Sequence, residues 1–244
     1  MKRAVVVGAS SGIGREVARL LLADGWHVGV AARRIALLEE LKEEFPGQVI
    51  TSCIDVEEDC APQKLRNLIG ELGGIELFFY ASGIGKQNMQ LDCDIEARTI
   101  KTNAVGFAQM IGAAYNYMSE HQGGHIAMIT SIAGTKGLGA APSYSATKAF
   151  QSTYIEALEQ QARMRRLNIR FTELRPGFVD TDLLGTDKKY PMLMRPEYVA
   201  REIVGAINSR KSVHVIDWRY RVLTFFWRLI PRRLWVRLRI TNNG

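Results

Sequence analysis

The chain has 244 residues, of which 47% are hydrophobic, and this is enough for one domain with a sizeable core of its own. Its net charge of +7 lies entirely in residues 218–244, which hold seven arginines and no Asp, Glu or Lys, so residues 1–217 hold 25 basic and 25 acidic side chains. That balance argues against a basic nucleic-acid-binding surface on residues 1–217, the body of the protein. The three cysteines, Cys53, Cys60 and Cys93, and the four histidines lack metal-ligand spacing, so we predict free thiols in a reducing compartment and no metal.

Short β-rich runs alternate with longer segments of helical period along the body, which is typical of βαβ units. Right-handed crossovers between parallel strands place helices on both faces of the sheet. The predicted fold is therefore α/β, a single Rossmann-type, doubly wound, mainly parallel seven-stranded sheet. We expect strands at 3–7, 27–32, 48–54, 75–80, 125–130, 168–174 and 212–216, and long helices at 92–120 and 144–166.

A glycine-rich turn follows the first strand and reads Gly8-Ala9-Ser10-Ser11-Gly12-Ile13-Gly14. Glycine lets the main chain turn sharply and approach a pyrophosphate, which would lie at the N-terminus of the next helix. The spacing differs from the G-x-G-x-x-G of the general dinucleotide fingerprint. The turn could be a purely structural bend, but its place between a buried strand and an amphipathic helix favours a phosphate site.

The end of the second strand indicates which dinucleotide binds. An Asp or Glu about 20 residues after the turn would bind the ribose 2′-hydroxyl of NAD, whereas an Arg would accommodate the 2′-phosphate of NADP. Arg33 and Arg34 stand at this position, no carboxylate occurs from residue 25 until Glu39, and Arg15 is a second candidate phosphate partner. The two arginines could also be ordinary solvated residues after a strand. We predict NADP(H) in preference to NAD.

Tyr144 and Lys148 are four residues apart and therefore lie on one face of a helix, where the ammonium can favour the ionised phenol. Moving a phenol pKa from roughly 10 to about 7 takes ~4 kcal/mol. One ammonium at ~5 Å supplies roughly 3 kcal/mol with an effective dielectric of about 20. The pair is thus suited to acid/base work near neutral pH, although a lone Tyr-x-x-x-Lys also occurs by chance on many helices.

Several motifs together resemble, in order and spacing, the short-chain dehydrogenase/reductase family over about residues 1–217. They are Gly8-x-x-x-Gly12-Ile13-Gly14, Asp55-Val56, Asn103, Ser131, Tyr144-x-x-x-Lys148 and Pro176-Gly177. The chain departs from the family at Tyr80-Ala81-Ser82-Gly83, where Asn-Asn-Ala-Gly is usual, so local contacts near the cofactor are expected to differ.

This resemblance implies hydride transfer between a nicotinamide and a ketone or secondary alcohol. It assigns Tyr144 as the acid/base, Ser131 as the ligand of the substrate oxygen, Lys148 as the ribose ligand that lowers the pKa of Tyr144, and Asn103 as support for a water relay. The full set of expected cofactor contacts is Gly8, Ser10, Ser11, Gly12, Ile13, Gly14, Arg33, Arg34, Asp55, Val56, Ala81, Ser82, Gly83, Tyr144, Lys148, Pro176, Gly177, Val179 and Thr181. The alternative is a non-catalytic cofactor-binding adaptor, which would not need all four catalytic residues.

Residues 182–195 occupy the place of the family's substrate loop, and their Leu and Met side chains indicate an apolar wall. They favour an apolar or lipid-like substrate, unless they pack on the core or on a partner subunit. Helices 92–120 and 144–166 match the family's usual interface, so the resemblance implies a homodimer or homotetramer. The apolar run Ala4–Val7 ends too early for a signal peptide, so we expect a cytoplasmic protein.

The segment from Trp218 to Ile240 forms a separate basic, aromatic arm with three of the four tryptophans, divided by Pro231. None of its apolar runs approaches the ~20 residues that span a bilayer. If the arm is helical, Arg221, Arg228, Arg232 and Arg239 share one line and apolar residues occupy much of the rest. Such a helix lies at a membrane interface, here an inner face, or packs on its own subunit or a dimer mate over the substrate opening. Of these, we favour peripheral membrane contact.

Overall fold

A computed structural model describes residues 1–184 and 190–240. Its centre is a seven-stranded parallel sheet in the order β3-β2-β1-β4-β5-β6-β7, which confirms the predicted fold class. The strands are β1 (Arg3–Val7), β2 (His27–Ala32), β3 (Val49–Cys53), β4 (Leu77–Tyr80), β5 (Gly124–Ile129), β6 (Ile169–Arg175) and β7 (Val213–Val215).

Helices cover both faces of this sheet. They are α1 (Gly12–Ala23), α2 (Ile35–Glu44), α3 (Ala61–Leu72), α4 (Cys93–Ile100), α5 (Phe107–Glu120), α6 (Pro142–Met164), α7 (Pro196–Asn208), α8 (Trp218–Leu229) and α9 (Arg232–Trp235). A π-helical turn, Lys101–Gly106, joins α4 to α5, and a 3-10 turn, Ile132–Thr135, follows β5.

The buried residues form two apolar clusters, one on each face of the sheet. Helices α1, α2, α7 and α8 contribute to the first cluster, and α3, α5 and α6 contribute to the second. Helix α1 illustrates the pattern, because Val17, Leu21 and Leu22 recur at helical spacing and are buried. Strand β4 is apolar and buried along its whole length, and so is β1 after Arg3, as expected for strands covered on both faces.

The strand order reverses at β1, which pairs with β2 on one side and with β4 on the other. In such sheets the crossover helices diverge at this point and leave a crevice beyond the carboxyl ends of the strands. The glycine turn that follows β1 and residues 81–83 that follow β4 therefore meet at one edge of the sheet.

The expected single helix over 92–120 is wrong in one respect, because the π-helical turn interrupts it. The wider turn contains Asn103, whose side chain binds the main chain of Ile84. Three strands are also shorter than predicted. The third spans Val49–Cys53 instead of 48–54. The fourth begins at Leu77 instead of residue 75, and the seventh spans only Val213–Val215.

The C-terminal arm consists of two helices, because Pro231 takes an extended conformation (φ −61°, ψ 148°) between α8 and α9. Tyr220 and Trp235 are buried, and Tyr220 belongs to the apolar cluster that also contains α1 and α7. In residues 1–184 and 190–240, none of the helices is long and apolar enough to cross a membrane.

Candidate active site

A cleft of about 1080 Å³ lies at the carboxyl edge of the sheet. All of the predicted cofactor-binding residues line it, and so does Ser131. Asn103 does not line the cleft, because it is fully buried beneath the segment after β4. Sequence reasoning thus identified residues that share one cavity although they are scattered from Gly8 to Thr181.

The glycine turn forms a tight cradle at the start of α1. Gly8 and Gly12 have φ of +88° and +56°, in the left-handed region that favours glycine. A Cβ at Gly14 would lie 2.2 Å from the carbonyl oxygen of Gly8. The side chain of Ser11 does not cap α1, whose first N–H groups therefore remain available to a ligand. A close main chain at a helix N-terminus fits the pyrophosphate of a dinucleotide.

Positive charge lies beside this cradle at the end of β2. The Arg34 guanidinium donates to the hydroxyls of Ser10, at 3.2 and 3.3 Å, and of Ser11, at 2.5 Å. It also lies 3.7 Å from Asp182, and Arg33 lies 4.0 Å from Asp55. Both guanidinium groups are about half exposed. The end of β2 therefore presents two cations to a ligand that occupies the cradle.

Asp55 follows β3 and makes a local turn, in which its carboxylate accepts from the N–H of Glu57 at 3.0 Å. It does not cap the next helix, because α3 begins at Ala61 after Cys60. Val56 is buried and its carbonyl accepts from Gln109. These contacts hold the wall of the cleft on the side of Arg33.

The segment that departs from the family pattern keeps the glycine that the site requires. Tyr80 points into the core, where its ring packs edge-on against Phe107 at 5.3 Å. A Cβ at Gly83 would lie 3.3 Å from Oδ1 of Asn103 and 3.6 Å from Nζ of Lys148. A side chain at position 83 would therefore crowd the ammonium, whereas the tyrosine at position 80 leaves it free.

Ser131 and Tyr144 meet at the bottom of the cleft. Ser131 begins the 3-10 turn after β5, where its Oγ accepts from the N–H of Ala133 at 3.1 Å. Tyr144 lies in the first turn of α6, and its phenol is close enough to the side chain of Ser131 for that side chain to affect its pKa. Nζ of Lys148 lies 5.8 Å from the centre of the Tyr144 ring. The phenol and the hydroxyl can therefore contact one substrate oxygen, with the ammonium nearby.

Burial governs the protonation of these groups. It raises the pKa of the Tyr144 phenol, and the side chain of Ser131 acts against that rise. The lowering of this pKa by Lys148 stays a prediction. Burial also lowers the pKa of Lys148 to about 8, and the negative charge of Glu173 acts in the opposite direction. The ammonium is thus in its charged form at neutral pH.

Asn103 is tied to the segment after β4 through both ends of its side chain. Its Oδ1 accepts from the N–H of Ile84 at 2.9 Å, and its Nδ2 donates to the Ile84 carbonyl at 2.7 Å. Its own carbonyl oxygen accepts from Nε2 of Gln151 at 2.8 Å. The Asn103 side chain therefore supports the cleft from below.

Sequence reasoning missed two buried polar residues behind Lys148. Gln151 accepts from Nζ of Lys148 at 3.0 Å, and its spacing of three residues on one helix was the available signal. Glu173, in β6, accepts from Thr130, Ser152 and Arg175. Burial would raise the pKa of this carboxyl, but the hydrogen bonds from Arg175, Ser152 and Thr130 and the Arg175 charge outweigh it and lower the pKa. No sequence motif identifies Glu173.

The C-terminal arm contributes to the walls of the cleft. Leu223, Trp227 and Ile240 line it. The arm is fastened to the turn beyond Ser131, because Trp235 donates to the carbonyl of Gly137 at 2.7 Å and Lys136 donates to that of Ile230 at 3.0 Å. The inner side of the arm thus packs on its own subunit beside the cleft, which is one of the alternatives that the sequence left open for this segment.

The expected substrate loop lies beside the arm. Leu183, Leu184, Tyr190 and Met192 line the cleft, and the ring of Tyr190 packs on that of Phe178 at 4.8 Å. The middle of the loop, at 185–189, lies outside the described residues. The described side chains give this wall an apolar character.

A phosphate cradle and a Tyr-Ser-Lys cluster in one crevice define an oxidoreductase that uses a nicotinamide dinucleotide. The chain belongs to the short-chain dehydrogenase family, whose model matches residues 2–190. Within residues 1–184 and 190–240 the structure holds no cluster of His, Cys, Asp or Glu that could bind a metal ion.

Curated proteins that are similar to this chain include an oxidoreductase and a reductase. An uncharacterised oxidoreductase of Myxococcus xanthus is 32% identical over 241 residues, which cover 96% of this chain and 94% of the relative. Glycine betaine reductase of Emericella nidulans is 34% identical over 229 residues, but the match spans 87% of this chain and only 18% of that protein. The first relative thus has nearly the same extent as this chain.

Solved structures share the fold. An alcohol dehydrogenase from the archaeon Thermococcus sibiricus, in complex with 5-hydroxy-NADP, has a TM-score of 0.79 at 24% identity, with 90% of this chain and 97% of that chain covered. A 3-ketoacyl-(acyl-carrier-protein) reductase from Brucella melitensis, in complex with NADH, has a TM-score of 0.79 at 21% identity, with 88% and 96% covered.

Proposed function

We propose that this protein is an NADP(H)-dependent oxidoreductase that interconverts a ketone and a secondary alcohol. The observation that carries the proposal is the position of Tyr144 beside Ser131 in the cleft that also contains the phosphate cradle. A carbonyl that accepts hydride at carbon needs a proton at oxygen and a hydrogen-bond donor for the developing charge. The two hydroxyls supply these two functions.

The roles of the side chains follow from their positions. In the reduction, Tyr144 donates its proton to the substrate oxygen while Ser131, held by the N–H of Ala133, donates a hydrogen bond to the same atom. The nearby ammonium of Lys148 favours the phenolate that remains, and it also binds the ribose of the cofactor. Asn103 supports a proton relay to Lys148. The nicotinamide cofactor, when bound in the cradle, supplies the hydride and accepts it in the reverse direction.

The choice of NADP(H) over NAD(H) rests on Arg34 and Arg33. A 2′-phosphate at the end of β2 would receive charge-assisted hydrogen bonds from Arg34, which already lies against Ser10 and Ser11 of the cradle. No acidic side chain stands at the end of β2, where a ribose 2′-hydroxyl would need one. Both observations favour NADP(H), the cofactor with a 2′-phosphate.

An apolar or lipid-like substrate fits the remaining part of the cleft. Beyond the cradle the walls are mainly apolar, with Leu138, Leu183, Leu184, Met192, Leu223, Trp227 and Ile240. A substrate with many hydroxyls would leave those groups without hydrogen-bond partners on these walls. We expect ketones with hydrocarbon chains or rings to react better than sugars.

The reaction is tested by following NADPH oxidation with a panel of ketones and aldehydes that ranges from sugars to long-chain and cyclic ketones. Loss of the Tyr144 proton donor should reduce turnover by roughly 10²-fold to 10⁴-fold. Tyr144→Phe is therefore the test variant and the exposed Tyr198→Phe its control. Turnover that Tyr144→Phe leaves unchanged would refute the mechanism. NADPH binding without turnover of any ketone would favour the non-catalytic adaptor.

We also propose that the arm, through residues 218–240, contacts a membrane surface at the inner face of the bilayer. Helix α8 has two sides. Tyr220, Leu223, Thr224 and Trp227 face the body, and Val222, Phe225, Phe226 and Leu229 form an exposed outer face. The four outer residues recur at i, i+3, i+4 and i+7, so they lie together on the side opposite the body.

Charge favours an anionic lipid surface as the occupant of this outer face. Of the arm's arginines, Arg219 pairs with Asp217 at 2.7 Å, and the other six make no ion pair within the described part of the chain. Two copies of the face would repel each other, whereas anionic headgroups would attract each of them. Arg221 and Arg228 border the apolar stripe, so they can reach the headgroups while Phe225 enters the boundary.

This contact is tested by vesicle sedimentation of the full chain. Wild type should sediment with vesicles that contain phosphatidylglycerol and much less with pure phosphatidylcholine. Phe225→Ser, Phe226→Ser and Leu229→Ser combined should abolish binding, whereas Ile35→Ser, Leu91→Ser and Met164→Ser combined, which change exposed residues elsewhere, should not. Equal sedimentation of the two variants would overturn the proposal. A change of oligomeric state with only the first variant would instead assign the outer face to a second copy of the chain.

Finally, we propose that the protein is a homodimer or homotetramer in the cytoplasm, assembled through the helices between residues 92 and 120 and through α6. Exposed apolar side chains on these elements, Ile100, Val105 and Phe150, support this arrangement. Light scattering after gel filtration measures the mass, and Phe150→Glu should reduce it while Ile35→Glu does not. A wild-type mass of one chain would contradict the proposal.

A further inference from the structure

Gln151 lies one turn beyond Lys148 on α6 and is fully buried. Its Nε2 donates to the carbonyl oxygen of Asn103 at 2.8 Å, and its Oε1 accepts from Nζ of Lys148 at 3.0 Å. A carbonyl oxygen only accepts and an ammonium only donates, so this orientation of the carboxamide is the one that satisfies both neighbours. The side chain therefore joins the π-helical turn to Lys148.

The ammonium of Lys148 has three N–H donors, and the protein takes two of them on one side. One is directed to Gln151 at 3.0 Å and one to the carbonyl of Ile129 at 3.3 Å. The third is left for the cleft, where Gly83 provides the space for a ligand to approach. With the two acceptors in place, a flexible four-carbon side chain has one defined position at the floor of the cleft.

The other two ionisable groups discussed around Lys148, Glu173 and Tyr144, do not fix the position of its Nζ. Glu173, on β6, contributes through its charge, and its two carboxylate oxygens bind Thr130, Ser152 and Arg175. Tyr144, on the same helix as Lys148, presents its ring to the ammonium at 5.8 Å. Gln151 is thus the side chain that holds Nζ by a direct hydrogen bond.

We propose that Gln151 is a positioning residue for the reaction, which fixes the Lys148 ammonium against the main chain of Asn103 and directs its free N–H into the cleft. A carboxamide does not titrate in the physiological range, so the link from Asn103 to Lys148 through Gln151 serves position and charge retention. Any proton that reaches Lys148 must then do so on the cleft side. This inference rests on the proposed role of Lys148, and its test is chosen to be independent of turnover.

The test measures the titration of Lys148 itself in the full chain. The Nζ and Cε signals of isotope-labelled lysine are followed by NMR against pH, and Lys148→Met identifies the signal. Gln151→Leu removes the acceptor and should lower the Lys148 pKa by about 1 unit, whereas Gln151→Glu supplies a negative charge and should raise it. Gln160→Leu, an exposed position on the same helix, should leave it unchanged.

Cofactor affinity gives a second measurement that needs no substrate. At pH 7, Gln151→Leu should weaken NADPH binding roughly tenfold, which corresponds to about 1.4 kcal/mol. A residue that merely fills space would lower thermal stability in both variants without moving the Lys148 pKa in opposite directions. A Lys148 pKa that is the same in all Gln151 variants, or that moves in one direction in both, would overturn the proposal. If no ketone is reduced but the pKa shifts occur, the proposed reaction fails and the positioning of Lys148 still holds.

Discussion

Gly177 packs against the ring of Tyr220 so closely that a Cβ at position 177 would lie 2.2 Å from two of the ring carbons. The hydroxyl of the same tyrosine accepts from the N–H of Phe178 at 3.2 Å and lies 2.9 Å from the carbonyl oxygen of Pro191. One side chain of the arm therefore contacts both the Pro-Gly turn and the segment at Pro191, which belongs to the predicted substrate loop. The arm and the cofactor side of the cleft are mechanically joined.

Gly177→Ala should displace Tyr220 and loosen the arm. Overpacking of a filled site costs about 1 to 3 kcal/mol, so we expect that loss in the free energy of unfolding, together with weaker NADPH binding. Urea unfolding and a cofactor titration measure the two effects. Gly139→Ala is the control, because no atom lies within 4 Å of a Cβ at that position. A Gly177→Ala protein as stable as this control would contradict the close packing.

Gly14→Ala should weaken cofactor binding, since the added methyl would meet the carbonyl of Gly8 at 2.2 Å. The turn would have to open and the first N–H groups of α1 would move away from the phosphates. We expect NADPH affinity to fall at least about tenfold, or ~1.4 kcal/mol, in a fluorescence titration. Gly70→Ala, in the open on α3, should bind NADPH as the wild type does. Wild-type affinity in Gly14→Ala would mean that the pyrophosphate lies elsewhere.

The sequence was sufficient for the fold and for the residues that line the cleft. Alternation of strand and helix patterns predicts a parallel sheet, and the carboxyl ends of its strands then bring Gly8, Ser131 and Pro176 together. Each of these positions carries a local signal, a glycine turn or a polar residue directly after an apolar strand. The predicted cofactor-binding residues lie in one cleft because topology converts such local signals into neighbours in space.

Contacts between distant elements could not be predicted in this way. Asn103, in the π-helical turn, is hydrogen-bonded to the main chain of Ile84 and to the side chain of Gln151. No periodicity in residues 92–120 indicates this turn. The rise that burial causes in the Tyr144 pKa could not be predicted either, because the spacing of Tyr144 and Lys148 indicates only the lowering effect of a nearby ammonium. The sequence pattern of the arm also does not predict that α8 packs on the body with one side and exposes the other.

Arg34→Ala should reduce the preference for NADPH over NADH. The guanidinium contacts Ser10 and Ser11 at the cradle, and a 2′-phosphate would gain charge-assisted hydrogen bonds from it. We expect NADPH affinity to fall roughly tenfold, equivalent to about 1.4 kcal/mol, with NADH affinity changed by less than about twofold. Calorimetric titration with both cofactors measures the ratio. Arg19→Ala, further along α1 and paired with Glu44 at 2.8 Å, serves as the control. An equal loss for both cofactors would assign Arg34 to the shared pyrophosphate.

Carbonyl reduction should decline above pH 8. Burial lowers the pKa of Lys148 to about 8, so above that pH the amine is neutral and no longer favours the phenolate of Tyr144. The value of kcat/KM, measured with a ketone that the panel identifies, should fall by about tenfold per pH unit in that range. An activity plateau up to pH 10 would show that the charge of Lys148 is not required.

The contribution of Lys148 to stability should increase with pH over the range in which activity declines, so a loss of activity there is not a loss of the folded protein. The pKa of Lys148 is about 8 in the folded protein and 10.5 for the ordinary amine, so between these values the unfolded chain binds more protons and this residue makes folding more favourable as pH rises. At pH 7 the folded protein bears the cost of a buried charge, which Lys148→Met removes. The stability gained in Lys148→Met should therefore be largest near pH 7 and shrink toward pH 10.5 in urea unfolding. A gain that is constant with pH would mean that the pKa of Lys148 is the same in the folded and the unfolded chain, so that burial does not lower it.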